Sequence, residues 1–184
     1  NEILPLLGTK PFIRLWHAGC STGEEVYSMA IMLKEAGLLH KSILYATDIN
    51  ASVLETAKSG IFPLRMIKDY ADNYRDSGGQ EDFSDYYIAN YGFAKFNDNL
   101  SEKMVFSQHN LVSDTSFNEF DLILCRNVLI YFDNNLQKRV VNLFDDSLAV
   151  LGFIALGTKE TIKYSISQSK YKQFEKEKIW RKIK

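Results

Sequence analysis

Short apolar runs alternate with helical patterns along most of this chain, and this alternation restricts the possible folds more than any other feature. The helical pattern over Gly23–Ala36 places its apolar residues at the i, i+3, i+4 and i+7 positions of one face. Five apolar runs have the length and composition of buried strands: Ile13–Gly19, Ser42–Thr47, Met104–His109, Asp121–Cys125 and Phe153–Leu156. Strands separated by helices predict an α/β fold with a mostly parallel, doubly wound sheet.

Capping residues predict where the remaining helices begin and end. The expected pairs of start and stop residues are Asn50 with Gly60, and Asp133 or Asn134 with Gly152. A short apolar helix is expected before the last of these, over Val128–Phe132. The chain is then expected to close with two strands joined tightly, Phe174–Glu177 and Ile179–Ile183.

The regular alternation breaks between Ile61 and Lys103. This stretch is far longer than the connections of about 2–6 residues that usually join strands and helices in α/β proteins. It is rich in tyrosine, and Ser77-Gly78-Gly79 has the composition of a turn. The aromatic run Tyr86–Phe96 predicts one or two antiparallel strands. We therefore expect one domain over residues 1–184 with a small antiparallel β insert over residues 61–103.

The composition excludes several classes of protein. Apolar residues make up 46% and charged residues 24% of the chain, which is typical of a soluble globular domain, and the net charge of −1 favours neither nucleic acid nor an anionic membrane as partner. No apolar run approaches the about 20 residues of a membrane span. Two cysteines give no disulfide framework and no export signal opens the chain, so a cytoplasmic location is expected. The basic segment Lys159–Lys184 is either a solvated edge or a docking face for an acidic partner.

Polar residues or glycine follow four of the predicted strands directly: Gly19, Asp48, His109-Asn110 and Arg126-Asn127. Ligands of open parallel sheets bind at the carboxyl ends of the strands, so these positions predict a nucleotide pocket. The segment from Gly19 to Gly23 has neither the dinucleotide fingerprint nor a Walker sequence. Either a ligand approaches its bare backbone, or it is a tight turn from strand to helix without a ligand.

Individual polar residues have competing interpretations. Asp48 can accept hydrogen bonds from both hydroxyls of a ribose, or it can be the turn residue that leads to Asn50. Thr22 and Glu25 fit a capping box, which is the favoured interpretation of that glutamate from the sequence alone. His17 and His109 are expected in the core or at its rim rather than as ligands. No spacing of His and Cys predicts a metal site, and no Ser/His/Asp set is present.

Three longer motifs lie at the ends of predicted strands: Ala18-Gly19-Cys20-Ser21-Thr22-Gly23-Glu24-Glu25-Val26-Tyr27-Ser28, Ala46-Thr47-Asp48-Ile49-Asn50 and Cys125-Arg126-Asn127-Val128-Leu129-Ile130-Tyr131-Phe132-Asp133. They resemble the motifs of the chemotaxis-receptor glutamate O-methyltransferases, the CheR type. His109-Asn110-Leu111 agrees with the family at the end of the third strand. The resemblance implies a class I, Rossmann-like methyltransferase fold that binds S-adenosylmethionine at the strand ends and releases S-adenosylhomocysteine.

The resemblance also implies a role for individual residues. The implied cofactor contacts are Gly19 at the first turn, Glu25 at the methionine end, Asp48 at the ribose, Asn110 and Leu111 at the adenine, and Asn127 and Val128 beside the sulfonium. Tyr131 is implied to lie near the transferred methyl group as the catalytic residue. The helical N-terminal domain of the family and its cofactor-binding arginine have no counterpart in these residues.

The implied reaction is methyl transfer to glutamate side chains on the cytoplasmic helices of chemoreceptors, and the β insert is implied to dock a receptor C-terminal peptide. A glutamate carboxylate has an ordinary pKa of about 4.3, so it is ionised at neutral pH and needs no general base. Two alternatives stay open: a class I methyltransferase for another substrate, and a regulatory module that binds the cofactor without turnover.

Overall fold

The structure is a computed structural model that describes residues 3–162, 168–174 and 177–184. In chain order the helices and strands are α1 (Ile3–Gly8), β1 (Ile13–Ala18), α2 (Glu24–Glu35), β2 (Ser42–Asp48), α3 (Ala51–Ser59), β3 (Ile61–Pro63), α4 (Leu64–Asp76), β4 (Tyr87–Asn90), β5 (Phe93–Phe96), α5 (Asp98–Ser101), β6 (Met104–Gln108), β7 (Phe120–Cys125), α6 (Asn134–Ser147), β8 (Leu148–Leu156), β9 (Tyr171–Gln173) and β10 (Ile179–Lys182). Short 3-10 helices span Leu39–Lys41, Phe83–Tyr86, Leu129–Tyr131 and Gln168–Lys170.

Among the described residues, seven strands form the main sheet, in the order β6-β2-β1-β7-β8-β10-β9. The five strands from β6 to β8 pair in parallel, whereas β10 runs antiparallel to both of its neighbours. The prediction of a mostly parallel, doubly wound sheet is confirmed. The chain leaves β1 towards β2 on one side and returns beside β1 with β7, so the strand order reverses between β1 and β7. Ligands of such sheets bind at this point.

The two faces of the sheet are both covered, as the uninterrupted apolar character of β1 requires. Leu15 faces one hydrophobic cluster, which includes Val26 and Leu33 of α2. Trp16 faces the other cluster, which includes Phe120 and Phe144. All six side chains are inaccessible to solvent, so alternate residues of one strand pack into opposite layers of the fold.

A second, antiparallel sheet of three strands, in the order β3-β5-β4, lies between α3 and β6 in the chain. The small antiparallel β insert expected here is confirmed, and its strands β4 and β5 fall within the aromatic run Tyr86–Phe96. Helix α4 was not predicted. Its apolar signal is weak because only Ile67 is buried, although Ile67, Tyr70 and Tyr74 stand at helical spacing.

Two of the predicted caps are confirmed. The Asn50 side chain accepts a hydrogen bond from the Ser52 amide, and the Asp133 side chain accepts hydrogen bonds from the amides of Asn135 and Leu136. These bonds satisfy amides that have no partner within the helix.

The predicted end of the last helix at Gly152 is wrong. Helix α6 ends at Ser147, and Gly152 lies inside β8. The run Leu148–Leu156 is apolar throughout, and such a run does not distinguish a helix from a buried strand. The pairing of β8 with β7 is irregular near its start, and Leu151 has a φ of 68°. The backbone of β8 is therefore locally distorted immediately before Gly152.

A closing pair of strands is present and is antiparallel, but its first strand is β9, which precedes the predicted Phe174–Glu177. Part of that predicted range lies outside the described residues. Tyr171, the first residue of β9, is buried, and its hydroxyl donates to the Asp145 carboxylate at 2.8 Å. The sequence pattern did not reveal this bond. In the described part of the chain, no helix is long and apolar enough to cross a membrane.

Candidate active site

The loops that follow β1 and β7 meet at the point where the strand order reverses. Gly19 has a φ of 78°, and its amide donates to the Thr47 carbonyl at 2.8 Å. A Cβ atom at Gly19 would lie 2.5 Å from Cγ2 of Val128. Only glycine combines this φ with so close an approach. The first and last sequence motifs are therefore in direct contact here.

The predicted capping box at the start of α2 is wrong. Gly23, with a φ of 95°, precedes the first helical residue, and no side chain caps the helix. The Thr22 hydroxyl instead donates to the Glu24 carboxylate at 2.7 and 2.8 Å. The helix begins one residue later than the motif requires, so Glu25 is free to turn towards the sheet.

Glu25 lies between two side chains, one from strand β1 and one from the loop after β7. Its Oε1 is 2.9 Å from Nδ1 of His17 on β1, and its Oε2 accepts a hydrogen bond from Arg126, after β7, at 3.2 Å. Burial alone would raise the pKa of Glu25, but the hydrogen bond from His17 and the charge of Arg126 outweigh it and lower the pKa. The carboxylate is therefore negative at neutral pH, and 28% of the side chain remains accessible.

Asp48, at the end of β2, joins two loops. Its Oδ2 accepts a hydrogen bond from the Ser21 amide at 2.9 Å, and its Oδ1 accepts one from the Asn50 amide at 3.0 Å. Because each carboxylate oxygen can accept two hydrogen bonds, both oxygens keep capacity for a ligand. Both interpretations of Asp48 therefore have a structural basis: it orders a turn, and it presents a carboxylate at the strand end.

Asn110 and Leu111 follow β6 and differ in exposure. The Asn110 side-chain oxygen accepts a hydrogen bond from the Val112 amide at 2.9 Å, which closes a turn. Leu111 is buried in the same cluster as Trp16. The neighbouring His109 is also buried, packs edge-on against Trp16 and has its Nε2 3.2 Å from the Thr115 carbonyl, as expected for a core histidine.

Glu160 is the residue that the sequence interpretation missed. Its carboxylate, only 4% exposed, accepts hydrogen bonds from three backbone amides, those of Asn127 at 3.1 Å, Val128 at 2.9 Å and Gly157 at 2.6 Å. Asn127 has a φ of 61°, which is uncommon for a residue other than glycine. Glu160 therefore fixes the loop after β7. The sequence did offer one indication of this role: Glu160 follows Gly157 by three residues, just after the end of the fifth predicted strand.

Tyr131 lies in the 3-10 helix after β7, and 81% of it is exposed. Tyr131 is therefore not part of the hydrophobic core. Its neighbour Leu129 is the buried residue of that turn. The Tyr131 side chain is accessible to a substrate that approaches this edge of the sheet.

The two cysteines are buried and not joined by a disulfide. Burial, together with the negative charges of Asp48, Glu25 and Glu24, raises the pKa of Cys20 to about 12. The thiol is therefore protonated at neutral pH and is not a nucleophile. The influence of these three carboxylates on Cys20 indicates that they all lie near the loop after β1. Among the described residues, no group of three or more His, Cys, Asp or Glu could hold a metal ion.

A cavity of about 470 Å³ lies between α2 and the insert. Its wall includes Met32 of α2, Tyr70 and Tyr74 of α4, and Phe62 of β3, and Arg126 also lines it. The insert is fixed beside α2 through Glu35, which accepts hydrogen bonds from the hydroxyls of Tyr74 and Tyr86.

Comparisons with known proteins agree with this arrangement. Residues 2–179 match the family model of the CheR methyltransferase, SAM-binding domain. A Pseudomonas putida protein named Cher3 is 48% identical over 99% of this chain and 67% of its own length. A chemotaxis protein methyltransferase of Borreliella burgdorferi is 35% identical over 89% of this chain and 59% of its own length. The chain thus spans about three fifths to two thirds of the length of these relatives.

A solved structure of a proposed O-methyltransferase from Nostoc punctiforme shares the fold. It superposes with a TM-score of 0.50 at 19% identity, over 84% of this chain and 34% of that one.

Proposed function

This chain belongs to the CheR methyltransferase family, and on that premise we propose that it transfers the methyl group of S-adenosylmethionine to glutamate side chains of chemoreceptors. The observation that carries the proposal is the set of carboxylates around the glycine turn after β1. Glu25 and Asp48 are held by separate hydrogen bonds on either side of Gly19, and both act electrostatically on Cys20. A negative pocket of this kind suits a ligand with two positive charges, an ammonium and a sulfonium.

The residues present fit this cofactor. The bare backbone at Gly19, where a Cβ atom would collide with Val128, admits a ligand close to the chain. Glu25 would hold the ammonium group, Asp48 would accept hydrogen bonds from the ribose hydroxyls, and Asn110 and Leu111 would flank the adenine. Asn127 and Val128 would line the cofactor beside the sulfonium. When bound, the cofactor supplies a methyl group that an ionised glutamate can accept without a general base.

The residues of the site contribute alignment rather than proton transfer. Tyr131 is exposed and follows the loop that Glu160 fixes, so its hydroxyl can orient an incoming carboxylate. Arg126, whose side chain is 52% exposed, provides a positive charge that favours a negatively charged substrate. Catalysis of this kind depends on holding the reacting groups in line and on excluding water.

The insert is proposed to dock a C-terminal peptide of the receptor. Strand β4 lies at the edge of the small sheet and pairs only with β5 among the described strands. Ile88 is 70% exposed, and Tyr91 in the following turn is 94% exposed. An exposed edge with apolar side chains is suited to pairing with an extended peptide.

The experiment is methyl transfer from radiolabelled S-adenosylmethionine to a purified receptor cytoplasmic fragment, catalysed by the protein in its full natural length. Label should enter the parent fragment and should be lost from a fragment whose candidate glutamates are changed to glutamine. Label that persists in the changed fragment would favour a methyltransferase with another acceptor. Cofactor binding without any transfer would favour a regulatory module.

A further inference from the structure

His17 is a fully buried polar residue on a strand of the central sheet. It is 0% exposed, and its register partners on the flanking strands are Ala46 and Leu124, both buried and apolar. On the same strand, Ile13 and Leu15 lie at alternate positions on the same face and are also buried and apolar. An aliphatic side chain at position 17 would fit this pattern.

The imidazole has one hydrogen-bond partner within the described part of the chain. Nδ1 lies 2.9 Å from Oε1 of Glu25, whereas Nε2 is buried without a partner. Because a carboxylate only accepts hydrogen bonds, Nδ1 is the donor of this pair. A buried nitrogen without a partner costs stability, and such an exception requires an explanation. The feature that an aliphatic residue could not provide is the N–H directed at Glu25.

We propose that His17 is a positioning residue for cofactor binding, which holds the Glu25 carboxylate in place for the ammonium group of S-adenosylmethionine. This inference rests on the proposed function, and it concerns how the methionine end of the cofactor is recognised. His17 acts through Glu25 and contacts neither the methyl group nor the substrate.

The two partners of Glu25 differ in the properties that matter for this role. Arg126 is positively charged and 52% exposed, so it repels an ammonium group and can turn towards solvent or substrate. The His17 side chain is enclosed in the core and contacts the carboxylate from the interior of the protein. It can therefore orient Glu25 whether or not Arg126 stays in contact with the carboxylate. Since each carboxylate oxygen can accept two hydrogen bonds, the bond to His17 leaves capacity for the ligand.

The test compares two ligands by calorimetry on this chain. S-adenosylhomocysteine carries the amino acid group, whereas 5′-methylthioadenosine shares the adenosine and sulfur but lacks that group. His17→Leu keeps an apolar side chain of similar bulk and removes the N–H. His17→Asn keeps a side-chain N–H at the same number of bonds from Cβ as Nδ1. His109→Leu is the matched control, because His109 is also a core histidine but has no contact with Glu25.

In His17→Leu we expect the affinity for S-adenosylhomocysteine to fall about tenfold or more, which is the loss typical of a hydrogen bond to a charged group. The affinity for 5′-methylthioadenosine should stay within about twofold, a difference too small to reflect such a bond. His17→Asn should retain part of the preference, and His109→Leu should leave the ratio of the two affinities unchanged. If His17 had a purely structural role, His17→Leu would lower the affinity for both ligands to the same extent.

Equal losses for both ligands, or an unchanged affinity for S-adenosylhomocysteine, would overturn the inference while leaving the proposed function in place. If His17→Leu does not fold, the ratio in His17→Ala, which also removes the N–H, decides, and a ratio equal to that of the parent with a shifted stability would contradict the positioning role. A parent chain that binds neither ligand would instead refute the proposed function.

Discussion

The carboxylate of Glu160 accepts a hydrogen bond from the backbone amide of Asn127 at 3.1 Å, and this bond ties the loop after β8 to the loop after β7. Asn127 is held there in a left-handed conformation, with Val128 packed against the bare backbone of Gly19. A buried carboxylate with three amide donors is a strong local constraint, because each donor would otherwise lack a partner.

We therefore expect Glu160→Gln to destabilise the fold by at least about 2 kcal/mol. The substitution replaces one accepting carboxylate oxygen by an NH₂ group, which cannot accept hydrogen bonds from the backbone amides. Unfolding in denaturant, followed by circular dichroism, measures this change. Glu119→Gln, at an exposed position, is the matched control and should shift the free energy of unfolding by less than about 0.5 kcal/mol. An equal effect of both substitutions would mean that Glu160 does not anchor the loop.

Asp48 is predicted to contribute both to the local turn and to the ribose site. Asp48→Asn should weaken the binding of S-adenosylhomocysteine by about 1.5–3 kcal/mol, the range for hydrogen bonds to a charged group. The free energy of unfolding should fall less, by about 1 kcal/mol, since the new side chain still has one acceptor for the amides of Ser21 and Asn50. Calorimetry and denaturant unfolding on the same samples separate the two effects. Normal affinity combined with reduced stability would leave Asp48 as a turn residue only.

Tyr131 should affect turnover rather than cofactor binding. Its exposed side chain makes little contribution to the core, so Tyr131→Phe should leave stability unchanged. A residue that acts mainly in the transition state lowers the rate with little change in ground-state binding. We expect slower methyl transfer at saturating cofactor and receptor, with the affinity for the cofactor changed by less than about threefold. Equal rates for the parent and Tyr131→Phe would reject a catalytic role for the hydroxyl.

The buried thiol of Cys20 predicts a loss of stability at alkaline pH. An unfolded thiol ionises near pH 9, but burial holds the folded thiol protonated up to about pH 12. The folded state thus binds more protons than the unfolded state between these values, so its stability falls as the pH rises through this window. The expected contribution is about 1.4 kcal/mol per pH unit for one such thiol. Denaturant unfolding from pH 8 to about pH 10.5 should show a shallower fall in Cys20→Ala than in the parent. Identical slopes would contradict the assignment.

The parts of the fold that could be predicted depend on local patterns. The parallel strands and the caps at Asn50 and Asp133 follow from residues that are close together in the chain, so the sequence carried their signal. The end of α6 could not be predicted, because Leu148–Leu156 is apolar throughout and its pairing with β7 decides its conformation. Helix α4 was missed because it packs against the strands of the small sheet and buries a single residue, Ile67.

The candidate site shows the same limit. Strand-end positions such as Asp48 are visible in a single sequence, because the fold brings the carboxyl ends of parallel strands together. The roles of Glu160 and His17 depend on contacts with distant or inward-facing groups, namely the Asn127 amide and the Glu25 carboxylate. The local capping-box motif even gave a wrong interpretation of Glu25. The motif considers only neighbouring residues of the helix, whereas the actual partner of Glu25 is His17 on β1.

The most direct test of the central claim is to locate the transferred methyl group. A receptor cytoplasmic fragment is incubated with the full-length protein and S-adenosylmethionine, and its peptides are then sequenced by mass spectrometry. We predict methyl esters on glutamate side chains, released as methanol by mild alkali and absent when S-adenosylhomocysteine is added in excess. Methyl groups confined to other residues, or stable to alkali, would contradict the account.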